Sequence, residues 1–413
     1  ERWMDGTGER EATTTVALVR LLSDLLNDET LGPLLVPIVP DEARTFGIEA
    51  LFPKIGIYCP GGQRYEPVDA DTLRPYAERA DGQLLEEGIS EAGAMASFIA
   101  AGTAYAHRGL NMIPLYFFYS MFGFQRVGDL IWAAGDARAR GFLIGCTSGR
   151  TTLNGEGLQH QDGHSHLLAH SFPAVRAYDP AFAYEVATLV RAGIERMFVE
   201  GHDETWYLTV ANAPYRHPPR PEGVEEGIVR GLYRVRASRK SGEVRRAQIL
   251  ASGPIVVEAL EAQRLLEEDY GVTADVWSVT SWQQLYRDAV ACERHDRLHP
   301  DADARVPWLA KCLGEDAGVI VGVSDFVKAL PHALARWMPG PMVALGTDGF
   351  GRSDSRPALR RFFQIDARHI AHAALSGLAR AGRYPMASVL RAADELGVDA
   401  EARPPFVAGE GER

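Results

Sequence analysis

The chain has 413 residues, 46% of them hydrophobic and 24% charged, and a mean hydropathy of -0.14, which excludes a disordered or fibrous chain and a single small module. Asp and Glu number 55 against 43 Lys and Arg, a net charge of -12 that disfavours a phosphate-tracking surface; the basic run at 234–246 reads as a solvated face, so no nucleic acid is expected. Cys59, Cys146, Cys292 and Cys312 lie far apart, no apolar run reaches the roughly 18–20 residues of a membrane span, and the polar start at Glu1 resembles no signal peptide, so a reducing cytoplasm and no membrane are expected.

Leu18, Leu21, Leu22, Leu25 and Leu26 recur at helical spacing behind Thr13, Thr14 and Thr15, which predicts an amphipathic helix. Residues 34–39 read as a short buried strand that ends at Pro40 and opens on Asp41 and Glu42, where open α/β sheets bind ligands. Residues 60–80, rich in Gly, Pro, Asp and Arg, are expected to form a mobile loop or lid. Ser90 is placed as the N-cap of a helix of small residues over 92–102, with Glu91 at its start. The aromatic run 115–124 and residues 141–145 read as further strands, 184–197 as a helix and 206–210 as a strand. Four prolines between 214 and 221 exclude helix or central strand and mark a linker. Beyond it, 247–251, 256–269 and 274–279 form a βαβ unit, followed by strands at 319–323 and 342–345. The fold class is therefore α/β in both halves.

Polar chemistry concentrates at 148–170. His160, His164, His166 and His170 fall within eleven residues, and such spacings can bind Zn²⁺. Gln161 follows His160 where a zinc hydrolase would carry its carboxylate base, so the histidines are read as catalytic, substrate-contacting or simply hydrogen-bonded. Residues 346–351 fit neither GxGxxG nor the P-loop and read as a turn. No GxSxG elbow is present.

Four runs carry a resemblance. They are Asp41-Glu42-Ala43-Arg44-Thr45-Phe46-Gly47, Tyr119-Ser120-Met121-Phe122-Gly123-Phe124-Gln125-Arg126, the stretch from Gly149-Arg150-Thr151-Thr152-Leu153-Asn154 to Gln159-His160, and Leu345-Gly346-Thr347-Asp348-Gly349-Phe350-Gly351-Arg352. Together they resemble the bacterial homodimeric type of pyruvate dehydrogenase first (decarboxylating) component, over nearly the whole chain. The resemblance implies two transketolase-like domains with largely parallel sheets flanked by helices. A thiamine diphosphate pyrimidine-binding domain would span 1–212, a Pro-rich linker 213–225 and a transketolase C-terminal-like domain 226–413.

The same resemblance implies roles for single residues. Glu91 matches the cofactor-activating glutamate, whose carboxyl protonates the aminopyrimidine N1′. Phe122 matches the ring that stacks on the aminopyrimidine, with Tyr119 on the same wall. His160 matches an active-site histidine near the reacting carbon. Asp41 and Glu42 would line the cofactor cavity, and 60–80 would close the site against water.

The family's diphosphate domain carries Gly-Asp-Gly followed about 25–30 residues later by Asn, oxygen ligands for Mg²⁺. Gly-Asp-Gly is nowhere in this chain, and Asp129 with Asn154, 25 positions apart, lacks the second glycine. The expectation is therefore the β-like part of a split enzyme, or a fragment of a longer chain, active only with a diphosphate-domain-bearing partner subunit that supplies the Mg²⁺ ligands. An α2β2 heterotetramer, a small 2-oxo acid substrate and a lipoyl-bearing acyltransferase as acceptor are further implications. The alternatives are a carboligase subunit, a non-catalytic stabilising or regulatory subunit, and a zinc hydrolase built on residues 160–170.

Overall fold

Thr13 opens the first helix, α1 (Thr14–Leu25), by accepting a hydrogen bond from Val16 N at 3.0 Å through its hydroxyl, the cap that an orphan helix N–H requires. Ala17, Leu18, Val19 and Leu22 are buried along it. The computed structural model describes residues 3–40, 43–68, 71, 76–240, 245–315 and 317–406. Asp41 and Glu42 lie outside the described residues.

The first sheet is built from β1 (Leu35–Val39), β2 (Leu85–Glu86), β3 (Ile113–Tyr119), β4 (Gly141–Cys146), β5 (Val175–Tyr178) and β6 (Thr205–Thr209) in the order β2-β1-β3-β4-β6-β5. Every pairing is parallel. Both faces are covered, so β1, β3, β4 and β6 are buried at every residue, and β1, β3 and β4 read in sequence as unbroken apolar runs. Helix α2 (Glu91–Gly102) packs on β1 and β3, and α3 (Gly123–Asp136) packs on α2. At its C-terminal end, Gly102 lets the chain entering β4 pass close by: a Cβ there would lie 2.8 Å from the Arg140 carbonyl.

The aromatic run 115–124 is not one strand. It leaves the sheet at Tyr119, and Phe124 already belongs to α3. Gly123 permits the reversal, because a Cβ there would stand 2.1 Å from the Phe118 ring. The helix expected at 184–197 is α5 (Ala183–Ile194), which follows the short α4 (Ser165–Ala169) and runs into a π-helical turn, Glu195–Val199. The base of the loop expected at 60–80 is a parallel pair of Ile57–Tyr58 with Glu78–Arg79, and 69–70 and 72–75 of that loop lie outside the described residues.

The Pro-rich stretch is pinned to the first domain. Tyr215–Arg216 pairs antiparallel with Glu11–Ala12, and His217 Nδ1 accepts from Ala183 N at 2.8 Å while its Nε2 lies 3.0 Å from the Ala12 carbonyl. The second sheet comprises β7 (Tyr233–Arg236), β8 (Arg246–Ala251), β9 (Thr273–Ser278), β10 (Val319–Val323) and β11 (Met342–Leu345) in the order β7-β9-β8-β10-β11, parallel except for β7 against β9. Helices α6 (Ile255–Glu268), α7 (Trp282–Leu298) and α8 (Ala367–Arg380) accompany it. The basic run at 234–246 is partly tied down: Arg236 donates to Leu260 O at 2.6 Å and Arg246 pairs with Asp275 at 2.9 Å. Among the described residues, no helix is long and apolar enough to cross a membrane.

Candidate active site

β3 delivers Tyr119 to its C-terminal end, the end at which open α/β sheets bind ligands. The chain then turns sharply, with Phe122 N donating to Tyr119 O at 2.8 Å, and α3 begins one residue later. Phe122 and Arg126 are therefore one helical turn apart and share a face. The Arg126 guanidinium lies 3.7 Å from the Phe122 ring centroid and its Nη1 reaches Glu91 Oε1 at 2.9 Å. Glu91 is the first residue of α2, whose N-cap Ser90 accepts from Gly93 N at 3.1 Å. The Glu91 side chain keeps 16% of its surface exposed, and Tyr116 hydroxyl donates to its carbonyl at 3.3 Å.

His160 stands on the single turn Leu158–His160, which follows β4. Its ring centroid is 4.6 Å from that of Tyr119 and 5.3 Å from that of Phe122, and the two aromatics meet edge-to-face at 5.8 Å. His160 Nδ1 lies 2.9 Å from the Glu156 carbonyl. A carbonyl only accepts, so this contact places a proton on Nδ1, and in the neutral ring Nε2 is then the acceptor. The result is a contiguous path from Glu91 through Arg126, Phe122 and Tyr119 to His160.

The remaining histidines of the cluster go elsewhere. His166 is buried, with Nε2 2.9 Å from Thr209 Oγ1 and its ring against Phe326 at 4.6 Å; burial holds its pKa down at about 3. His170 packs against Tyr286 at 5.6 Å, and burial lowers its pKa to about 4. His164 N donates to Asp162 Oδ1 at 2.9 Å at the start of α4. Among the described residues, no group of three or more His, Cys, Asp or Glu side chains is placed to hold a metal ion.

Four of the six site residues expected from the sequence thus come together: Glu91, Tyr119, Phe122 and His160. Asp41 and Glu42 lie outside the described residues. Two contributors carried no expectation. Arg126 links the carboxylate to the ring wall, and its i, i+4 spacing from Phe122 was the available signal. Phe46 backs Tyr119 edge-on at 5.2 Å and lay within a quoted run, without a spacing to single it out.

Residues 3–218 match a family model described as pyruvate dehydrogenase E1 component middle domain. The chain belongs to this pyruvate dehydrogenase E1 family. Residues 231–366 match the transketolase-like TK C-terminal domain. The chain is 51% identical over 404 residues to the pyruvate dehydrogenase E1 component of Pseudomonas aeruginosa, covering 98% of this chain and 46% of that protein. It is 47% identical over 401 residues to that of Escherichia coli K12, covering 97% and 45%. The chain spans about half the length of the curated relatives it matches. Among solved structures, a transketolase from Leishmania mexicana has a TM-score of 0.67 at 16% identity, covering 92% of this chain and 47% of that one. A split gene transketolase, described as an inactive beta4 tetramer, has a TM-score of 0.57 at 17% identity, covering 89% of this chain and 98% of that one. The architecture of this E1-family chain is transketolase-like, as the four sequence runs implied.

Proposed function

We propose that the chain supplies the pyrimidine-side and substrate-side half of a thiamine-diphosphate-dependent 2-oxo acid decarboxylase of the pyruvate dehydrogenase first-component type. The observation that carries this reading is the single patch in which Glu91, Arg126, Phe122, Tyr119 and His160 meet. A carboxylate beside an aromatic wall, at the C-terminal end of a parallel sheet, suits a flat, basic heterocycle such as an aminopyrimidine. Two buried hydroxyls that find no partner among the described residues, Ser120 Oγ and Thr147 Oγ1, follow the adjacent strands β3 and β4 and add polar capacity near that edge.

Bound thiamine diphosphate would supply a carbon nucleophile for the 2-oxo carbonyl and a sink for the electrons released with CO₂. Within this chain, Phe122 and Tyr119 would hold the aminopyrimidine ring, and Glu91 Oε would hold the proton exchanged at its N1′. His160, with Nε2 on the far side of the ring from the Nδ1–H···O contact, would orient the 2-oxo acid or move a proton beside it. Arg126 fixes the Glu91 carboxylate against the ring wall.

The residues present do not fit the diphosphate and Mg²⁺ half of the cofactor. Gly-Asp-Gly is absent, and among the described residues no acidic cluster suits a divalent cation. We assign those ligands to a diphosphate-domain-bearing partner subunit, or to further residues of a longer chain. The half-length coverage of the relatives and the split-gene neighbour support that division. An α2β2 assembly acting in the cytoplasm and passing its acyl group to a lipoyl-bearing acyltransferase completes the reading, with 1–212 as pyrimidine-binding domain, 213–225 as linker and 226–413 as C-terminal domain.

The test is 2-oxo acid decarboxylation by the complex reconstituted with thiamine diphosphate and Mg²⁺. Glu91→Gln is expected to lower turnover by about 10²–10⁴-fold, the range of a lost acid–base group. Unchanged turnover would overturn the assignment.

A further inference from the structure

His160 rides on the stretch from 149 to 163 that joins β4 to α4, and the second sheet grips this stretch at both ends. Asp325, buried just past the C-terminal end of β10, accepts four hydrogen bonds from two consecutive threonines. Thr151 N and Oγ1 donate to Oδ1 at 2.9 and 2.7 Å, and Thr152 N and Oγ1 donate to Oδ2 at 3.1 and 2.6 Å. The neighbouring Gly149 has φ +93°, and a Cβ on it would stand 2.3 Å from Asp325 Oδ2, so this position is shaped to let the carboxylate in. Arg150 Nη1 donates to the Thr347 carbonyl at 2.5 Å and to that of Gly349, and Arg356 Nε donates to Thr152 O at 2.6 Å.

The far end is held the same way. Gln161 Nε2 donates to Leu153 O at 2.9 Å, drawing the two ends of the loop together, while Gln161 Oε1 accepts from Arg352 N at 2.7 Å. Val327 N donates to Gly163 O at 2.8 Å. His160 lies between these anchors. Burying a carboxylate merely to join two layers is costly, and an apolar contact would serve as well. A carboxylate saturated by four donors on two consecutive residues instead fixes the direction of both peptide units.

We propose that the C-terminal domain sets the position of His160, with Asp325 as a positioning residue that clamps Thr151 and Thr152 at the root of the His160 loop. This inference rests on the functional reading above and gives the second domain a part in the reaction, although the ring cluster is built from the first.

The test compares Asp325→Asn with the double variant Thr151→Val/Thr152→Val, which leaves the second domain intact if the first variant folds poorly. Thr→Ser at both positions retains the hydroxyls and is the rescue control. Hydrogen–deuterium exchange is measured on the whole chain without cofactor. Amides 151–162 are expected to exchange about ten-fold faster in both disruptive variants, those of β3 and β8 at the unaltered rate, and the Ser variant to behave as the original. In the reconstituted complex, kcat is expected to fall by about 10²-fold, the cost of displacing a positioned group by an ångström, with KM little changed.

Unchanged loop exchange, or acceleration spread evenly over both sheets, would overturn the clamp. A loosened loop with full kcat would overturn the positioning role. In that last case His160→Ala separates the causes: an equally silent His160→Ala places the failure in the functional reading, whereas a damaging one places it in the proposal that Asp325 positions His160.

Discussion

Asp179 follows β5 at the seam between the two sheets, where Gly253 N donates to its carbonyl at 3.1 Å and its own N donates to Thr280 O at 2.8 Å. Burial raises its carboxyl from 3.8 to about 7, against the hydrogen bonds that Thr209, through Oγ1 to Oδ1 at 2.7 Å, and Ser252 make to it. A folded-state pKa above the unfolded value means that the folded chain holds the proton more tightly. The stability this group contributes is complete below about pH 4 and is lost as pH rises toward 7, a swing of order a few kcal/mol at about 1.4 kcal/mol per unit. Asp179→Asn stays neutral throughout. Urea unfolding is therefore expected to show the variant gaining on the original chain between pH 4 and pH 7, and parallel pH profiles of the two would contradict this. By contrast the Glu91–Arg126 pair joins a half-exposed guanidinium (49%) to a mostly buried carboxylate. Arg126→Met is expected to cost no more than about 1 kcal/mol by the same method, because screened ion pairs contribute little to stability; a larger loss would mean that the pair holds the fold rather than the site.

Elements were legible wherever local chemistry and tertiary packing agree. The cap at Thr13, the cap at Ser90 and the unbroken apolar runs of β4, β10 and β11 all carry their signal within a few residues. The end of β3 does not. Phe and Tyr favour strands throughout 115–124, and the turn at Tyr119 depends on the fit of Gly123 beside the Phe118 ring, a contact visible only in the fold. This turn is what places Phe122 and Arg126 on one face. The Ser90 cap is the matching device for Glu91, and Ser90→Ala is expected to destabilise by about 1 kcal/mol while Ser90→Asp is nearly neutral. Chemical denaturation checks this, and equal loss in both variants would remove the cap from the account. At the loop root, Gly149→Ala meets both a left-handed φ and the Asp325 carboxylate. Its expected cost is about 1–3 kcal/mol, read from the same transition.

The whole molecule is stitched across its two sheets by buried polar contacts. Tyr233 and Ser278 of the second sheet donate to Glu185 of α5. Gln283 of α7 donates through Nε2 to Ala169 O at 2.7 Å and accepts from Ala177 N at 2.9 Å. Little of this seam was legible, since Asp325 and Thr151 are 174 residues apart and a buried acid beyond a strand has no local signature. The candidate site was legible as residues but not as a unit: the family resemblance singled out Glu91, Tyr119, Phe122 and His160, while the Arg126 bridge and the clamp beneath His160 needed the fold. Such a seam predicts a single cooperative unfolding transition reported alike by tryptophans of either sheet, Trp206 and Trp277; two separated transitions would contradict it. Calorimetric titration of thiamine diphosphate with Mg²⁺ tests the proposed half-site most directly, first into this chain alone and then into its mixture with a protein bearing the diphosphate domain. No saturable heat from the chain alone and saturable binding by the mixture is the predicted result. Tight binding by the chain alone, or none by the mixture, would contradict it.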